Sequence, residues 1–121
     1  MPRKPITFDD VRGLALKLPD VTESTMHGSP SLKVRGKLLA CPALHKSADT
    51  DSLAVSIDLA ERTQLLAASP AIFYVTGHYL KYQIVLVHLS KISQTALKKL
   101  LDQSWQFVTT KTKPVKTSKP R

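Results

Sequence analysis

The sequence predicts an α+β fold, a two-layer sandwich in which an antiparallel sheet carries helices on one face. Three observations predict this class. Helix-spaced apolar residues occur near the start, the middle and the end of the chain, short alternating or β-branched runs lie between them, and those runs come in groups joined by glycine-containing turns. The expected element order is α-β-β-β-β-α-β-β-α, and strands grouped in hairpins indicate an antiparallel sheet.

Three segments have the features of helices. The first begins after Thr7, which can cap its first turn, and stops at Pro19. The second begins after Asp58, the first residue of a capping-box pattern. The last begins after Ser93 and carries an apolar stripe as far as Val108.

The first group of predicted strands contains a tight hairpin. Residues 21–27 form a weakly patterned extended segment, and the apolar runs 32–34 and 38–41 flank the turn 35–37, where glycine lets the backbone reverse. Residues 53–57 alternate between large apolar and small residues, which is typical of a strand with one buried face.

The second group is a pair of strands joined by a broader hairpin. Residues 71–76 and 84–89 are rich in β-branched and aromatic side chains, which favour strands. The connection between them, 77–83, contains one lysine and two tyrosines. The sequence therefore predicts two hairpins, the first with Lys33, Arg35 and Lys37 at its tip and the second with one cation, Lys81, and aromatic residues.

The positive charge is concentrated at the two ends of the chain. The formal net charge is +9, but the basic N-terminus (residues 1–5) and the basic tail (109–121) contain no acid, and without them residues 6–108 carry only +2. We expect both ends to be flexible and disordered and residues 6–108 to form a single domain. Because a basic tail attracts any polyanion, its charge is weak evidence for a specific partner.

Cysteine content and hydropathy limit the compartment. The single cysteine, Cys41, cannot form an intrachain disulfide, and we expect a buried, unreactive thiol. No apolar run approaches the roughly 20 residues of a membrane-spanning helix. We therefore expect a cytoplasmic protein without a membrane partner, present as a monomer or weak dimer.

Three stretches carry a family resemblance. They read His-Gly-Ser-Pro-Ser-Leu-Lys-Val-Arg-Gly-Lys at 27–37, Phe-Tyr-Val-Thr-Gly-His-Tyr at 73–79 and Ser-Trp-Gln-Phe-Val at 104–108. Together they resemble the MmcQ/YjbR family of small bacterial proteins, and the similarity extends over residues 8–108. The resemblance implies a curved antiparallel sheet packed by helices, as in the secretion chaperones, with two projecting hairpins and a DNA-binding role. It implies no catalytic residue or cofactor.

The leading functional hypothesis is binding of duplex DNA by the two hairpin tips. Lysine and arginine side chains contact phosphates, while tyrosine rings stack on bases or line a groove. The hypothesis requires both tips to lie on the same side of the domain. An alternative explanation is that these cations keep strand edges soluble and unpaired. The candidate residues are Lys33, Arg35, Lys37, Tyr79, Lys81 and Tyr82.

Two other classes of function stay open. One is a protein-interaction or chaperone-like domain, which an exposed contiguous apolar patch would favour. The other is a small-ligand pocket or enzyme around His27, His78 and Tyr79, with the two histidines facing each other across a concave surface. The sequence predicts no enzyme, cofactor or metal, because it contains no nucleophile motif or phosphate loop and its histidines lack the spacing of metal ligands.

Overall fold

Six strands and four helices make up the described part of the chain, which in this computed structural model comprises residues 6–26, 29–43, 48 and 51–112. All neighbouring strands are antiparallel. The elements in chain order are α1 (Phe8–Ala15), β1 (Val21–Met26), β2 (Ser29–Val34), β3 (Lys37–Pro42), β4 (Ser52–Ser56), α2 (Leu59–Ala68), β5 (Phe73–Tyr74), α3 (Gly77–Leu80), β6 (Ile84–His88) and α4 (Gln94–Thr112). The spatial order of the strands is β1-β2-β3-β4-β6-β5, which confirms the predicted α+β class.

The two faces of the sheet are covered differently. Val85 and Val87 of β6 belong to the main core, to which α1, α2 and α4 also contribute apolar side chains. Leu86 points to the opposite face, because successive side chains of a strand alternate, and there it packs with Tyr79 of α3. The three longer helices therefore share one face, as predicted, and among the helices of the described residues the short α3 packs on the other.

Side chains and backbone groups close to one another in sequence set the helix starts. The Thr7 backbone N–H donates to the Asp10 carboxylate at 3.0 Å at the start of α1. The Asp58 carboxylate accepts from the backbone N–H of Ala60 at 3.0 Å before α2, and the Ser93 hydroxyl accepts from the N–H of Ala96 at 3.1 Å before α4. These contacts confirm the three predicted N-terminal boundaries, since each satisfies a backbone donor that lacks a helical partner.

The β2–β3 hairpin has a two-residue turn, shorter than predicted. Arg35 and Gly36 both have positive φ, at 52° and 84°, which is the pattern of a type I′ turn. Lys37, expected in the turn, is instead the first residue of β3. Farther along the hairpin, Leu32 pairs with Ala40 while Lys33 pairs with Leu38, so β3 bulges by one residue.

The second connection differs from the predicted open hairpin. The strand expected over 71–76 shortens to Phe73–Tyr74, and the chain then turns through α3 before β6 begins. The ring of Tyr79 is buried with Leu86, so this part of the connection packs against the sheet and does not project from it as a hairpin tip. The prediction of Tyr79 as an exposed tip residue was therefore wrong.

The C-terminal ends of two helices also differ from their predicted positions. The first helix ends at Ala15, before the predicted stop at Pro19. The last helix runs to Thr112, so residues 109–112 are helical where the sequence predicted the start of the tail, and residues 113–121 lie outside the described part of the chain. Of the helices in the described residues, α4 included, none combines the length and apolar character needed to cross a bilayer.

Replacing Gly36 tests the turn. We expect Gly36→Ala to lower the free energy of unfolding by about 1–2 kcal/mol, because a Cβ disfavours left-handed backbone. A Cβ built there meets no atom within 4 Å, so the cost is conformational and not steric. Urea denaturation followed by circular dichroism measures it.

Arg35→Asn is the matched control for this experiment. It creates the Asn-Gly pair that type I′ turns prefer, while it removes only a half-exposed ion pair between Arg35 and Asp20. We expect a change within about 0.5 kcal/mol. A loss as large as that of Gly36→Ala would show that the ion pair stabilises the turn as much as the backbone conformation does and would contradict this expectation.

Candidate functional site

A groove at one end of the sheet brings the two predicted loops together. β3 begins at Lys37, β4 ends at Ser56, and β6 begins at Ile84 directly opposite Ser56. The β2–β3 turn and the α3–β6 loop therefore leave the sheet at the same end with only β4 between them, about 10 Å apart at the spacing of neighbouring strands.

The lining of this groove is mostly apolar, with a lysine on each loop. The groove has a volume of about 580 Å³ and is lined by residues of five elements and of the α3–β6 loop. Lys37 comes from the β2–β3 hairpin, and Lys81 and Tyr82 from the α3–β6 loop. The apolar lining consists of Leu38, Leu59, Ile84, Phe107 and Val108.

Several side chains around the groove are unusually exposed for their type. Leu59 and Tyr82, both in the lining, are 45% and 46% exposed, and Leu80, next to Lys81, is 56% exposed. The Lys81 ammonium lies 5.5 Å from the centre of the Tyr82 ring, within the range of a cation–π contact. The loop therefore presents apolar, aromatic and cationic groups side by side.

Acidic residues border one side of the groove. Asp58 and Glu61, at the start of α2, line a shallow depression of about 220 Å³ that shares Phe107 with the groove. The negative charge of these carboxylates reduces the positive potential that Lys37 and Lys81 create on that side of the groove. An anionic ligand is therefore favoured nearer the two loops than nearer the start of α2.

Arg62 of α2 forms hydrogen bonds with the backbone in and around the α3–β6 loop. Its side chain is buried and donates to the carbonyl oxygens of Tyr82 at 2.9 Å, Ile84 at 3.1 Å and Leu80 at 3.2 Å. Within the described residues it has no carboxylate partner, so three carbonyl dipoles solvate the guanidinium. Sequence reasoning missed Arg62, because these contacts join residues 18 to 22 positions apart.

The other candidate residues lie outside this groove. Arg35 donates to the Asp20 carboxylate at 2.9 and 3.1 Å, so its charge is partly neutralised, unlike the free cation that the sequence suggested. Lys33 stands between the core residues Leu32 and Val34, and strand alternation therefore places it on the sheet face opposite α4.

The predicted ligand pocket around two histidines falls outside the described residues. His27 and the His78 side chain lie outside them, and Tyr79 is buried in the cluster with Cys41. Burial raises the pKa of the Cys41 thiol to about 11, which keeps it protonated and unreactive as expected. No group of three or more metal-ligating side chains occurs in the part of the chain that the structure describes.

A second polar cluster lies at the opposite end of β4. Asp51 accepts from the Ser90 hydroxyl and lies 3.2 Å from His88 Nδ1, and the His88 ring stacks on Tyr74 at 4.5 Å between centroids. The hydroxyl donates to the carboxylate and not to the imidazole, which differs from the geometry of a serine nucleophile with a histidine base. The cluster ties the segment before β4 to the end of β6.

Substituting Arg62 tests its role in holding the loop. We expect Arg62→Met to lower the free energy of unfolding by about 1–3 kcal/mol, since it leaves carbonyl groups without their donor. Amide hydrogen exchange should also accelerate in residues 80–84. Arg12→Met is the matched control, because Arg12 forms its ion pairs at the surface. Equal effects of both substitutions on exchange in this loop would contradict the assignment.

The pH dependence of stability tests the Asp51 cluster. Hydrogen bonding from the Ser90 hydroxyl lowers the pKa of Asp51, with a further contribution from His88. A lowered folded-state pKa stabilises the protein above the unfolded-state value of about 4, and this stabilisation is lost as the pH falls through the folded-state value. The stability difference between wild type and Asp51→Asn should therefore be largest near neutral pH and shrink in acid. A difference that is constant from pH 7 down to acid unfolding would contradict this.

Comparisons with known proteins agree with this fold. The fold is similar to that in the crystal structure of Deinococcus radiodurans protein DR2400, which contains the family-model domain DUF419. The two structures match with a TM-score of 0.73 and 24% sequence identity, and the match covers 89% of this chain and 82% of that chain. At that level of identity, the likeness shows a shared fold. No curated protein matches the sequence. The family model YjbR matches residues 16–107, well over half of the chain, and the chain therefore belongs to the YjbR family.

Proposed function

We propose that this chain binds nucleic acid without catalysing a reaction, and that the groove between Lys37 and Lys81 is its contact surface. One observation carries the proposal: two loops distant in sequence each place a lysine beside the same groove, next to a tyrosine that is 46% exposed. Lysine side chains supply the phosphate contacts and the tyrosine supplies a ring for a base or sugar.

The positions of the lysines beside the groove support this proposal, whereas the net charge of the chain does not. Residues 6–108 carry a net charge of only +2, so the body has no general attraction for polyanions. Lys37 and Lys81 are both exposed, and Lys33 is half-buried on the neighbouring sheet face as a peripheral cation. Of the six residues predicted from sequence, Lys37, Lys81 and Tyr82 therefore form the centre of the proposed surface.

A protein partner is the second candidate for the same surface. Leu59 and Leu80 are 45% and 56% exposed, and an apolar strip with charged neighbours is typical of a peptide-binding groove. The two lysines would then select a partner segment with acidic residues beside its apolar anchors. If this candidate is correct, the groove binds its protein partner in the absence of nucleic acid, and DNA does not bind there.

Charge substitutions in the full-length protein test the leading proposal. We expect Lys37→Ala and Lys81→Ala each to weaken binding to labelled DNA, and to reduce the slope of log K against log salt by about 1, since each removes one phosphate contact. Fluorescence anisotropy at several salt concentrations measures both quantities.

Two control variants separate the groove from general attraction. Lys98→Ala removes the same charge from an exposed position about 15 Å along α4 from Val108 and should have little effect. A second variant with glutamine at Lys113, Lys116, Lys119 and Arg121 measures the contribution of the basic end. If only this second variant weakens binding, the groove is not the site and the proposal fails.

A further inference from the structure

We infer that the groove takes single-stranded nucleic acid in preference to a duplex, with a base in the apolar groove beside Tyr82 and the adjoining phosphates near Lys37 and Lys81. This inference rests on the proposed function and specifies its ligand.

The apolar lining matches a base and not a phosphate backbone. Leu38, Ile84 and Phe107 contribute carbon surface to the groove, whereas a duplex presents phosphates, sugars and the polar edges of its bases. The faces of duplex bases are stacked on one another and cannot reach this surface. An unpaired base has an apolar face to bury, and stacking of this kind is sequence-tolerant because every base has such a face.

The dimensions lead to the same ligand. A volume of about 580 Å³ lies within the range of small-molecule sites, which run from about 300 to 1,000 Å³. A groove of that size accommodates a nucleotide or a short stretch of one strand. A double helix could touch only its rim and would leave the lining unused.

Arg62 makes the site rigid before the ligand arrives. Its three hydrogen bonds restrain the backbone around Tyr82, so less backbone entropy of this loop is lost when a ligand binds. The buried guanidinium also adds positive charge beneath the loop. Both effects favour an anionic ligand that carries a flat, apolar group.

The Ser56 hydroxyl and the Glu61 carboxylate limit how a strand can lie in the groove. The Ser56 hydroxyl already donates to the Leu38 carbonyl at 2.8 Å, so its proton is not available to read a base. Glu61, beyond Phe107, repels phosphates from the α2 side of the groove. The strand is therefore expected to extend across the two loops and away from Glu61.

The test compares one strand with the duplex formed by the same sequence. Anisotropy is measured with a labelled oligodeoxythymidine of about 12 nucleotides and with its duplex with oligodeoxyadenosine, using the full-length protein. We expect the single strand to bind at least about tenfold more tightly. Tyr82→Ala should weaken single-strand binding by roughly 5- to 150-fold and duplex binding little, while Tyr82→Phe should retain the affinity.

Further variants control for folding and for charge. Leu16→Ala, at a 44% exposed residue at the end of α1, matches the loss of exposed apolar surface and should leave binding unchanged. Glu61→Gln should strengthen binding of the single strand, because it removes a repulsive charge without adding a cation. Thermal unfolding of each variant shows whether it is folded.

The outcomes separate this inference from the proposal beneath it. If the duplex binds as tightly as the single strand, or if Tyr82→Ala leaves single-strand affinity unchanged, the inference is overturned while nucleic-acid binding stands. If neither form binds, the proposed function itself fails, and the apolar surface with Leu59 and Leu80 is left to a protein partner.

Discussion

The register of β4 between β3 and β6 is the constraint on which the candidate site depends. Leu53 and Val55 are fully buried in the main core, and Ala54 between them faces the opposite side. A slip of one residue would place Ala54 in the main core and force both large side chains into the small cluster on the other face, where Ala54 now fits, so packing on both faces fixes the register strongly. The same register sets Ser56 opposite Ile84 and thereby brings the two loops to one end of the sheet.

A second constraint acts on the loop itself. Arg62 binds carbonyls within the α3–β6 loop and on both sides of it, because Leu80 is the last residue of α3, Tyr82 lies in the loop and Ile84 is the first residue of β6. Arg62 supplies three hydrogen bonds from one planar group, and two of them come from a single nitrogen atom. A lysine ammonium at the same place has no such fork, so the geometry specifically favours arginine. Core packing thus positions the loop, and Arg62 sets its shape.

Local signals predicted the fold well, and long-range contacts account for what they missed. The starts of all three longer helices were predictable because the capping groups lie within three residues of their partners. The turn at Gly36 was visible for the same reason. By contrast, α3 depends on packing between Tyr79 and Leu86, and the pairing of Arg35 joins residues 15 positions apart. Periodicity and turn chemistry carry no information about such contacts.

The residues of the candidate site also divide into those that local sequence predicted and those that depend on long-range packing. Lys37, Lys81 and Tyr82 were identifiable because lysines and tyrosines in loops between strands tend to be exposed. Tyr79 is also a tyrosine between two strands, but it is only 9% exposed. Its position in the short helix α3 directs its side chain onto the sheet. Which aromatic residue of a loop reaches solvent is thus decided by tertiary packing and not by residue type.

The distribution of charge separates two physical contributions to any binding of polyanions. Most of the +9 lies at the ends of the sequence, where lysines attract phosphates through counterion release, a term that weakens steeply as salt rises. In the proposed contact, the groove would add burial and stacking, which depend on apolar contact and lack the steep salt dependence of phosphate contacts. Affinity at low salt therefore reports mainly the ends of the chain. Discrimination between ligands must come from the groove, and it stands out most clearly at salt concentrations high enough to screen the rest.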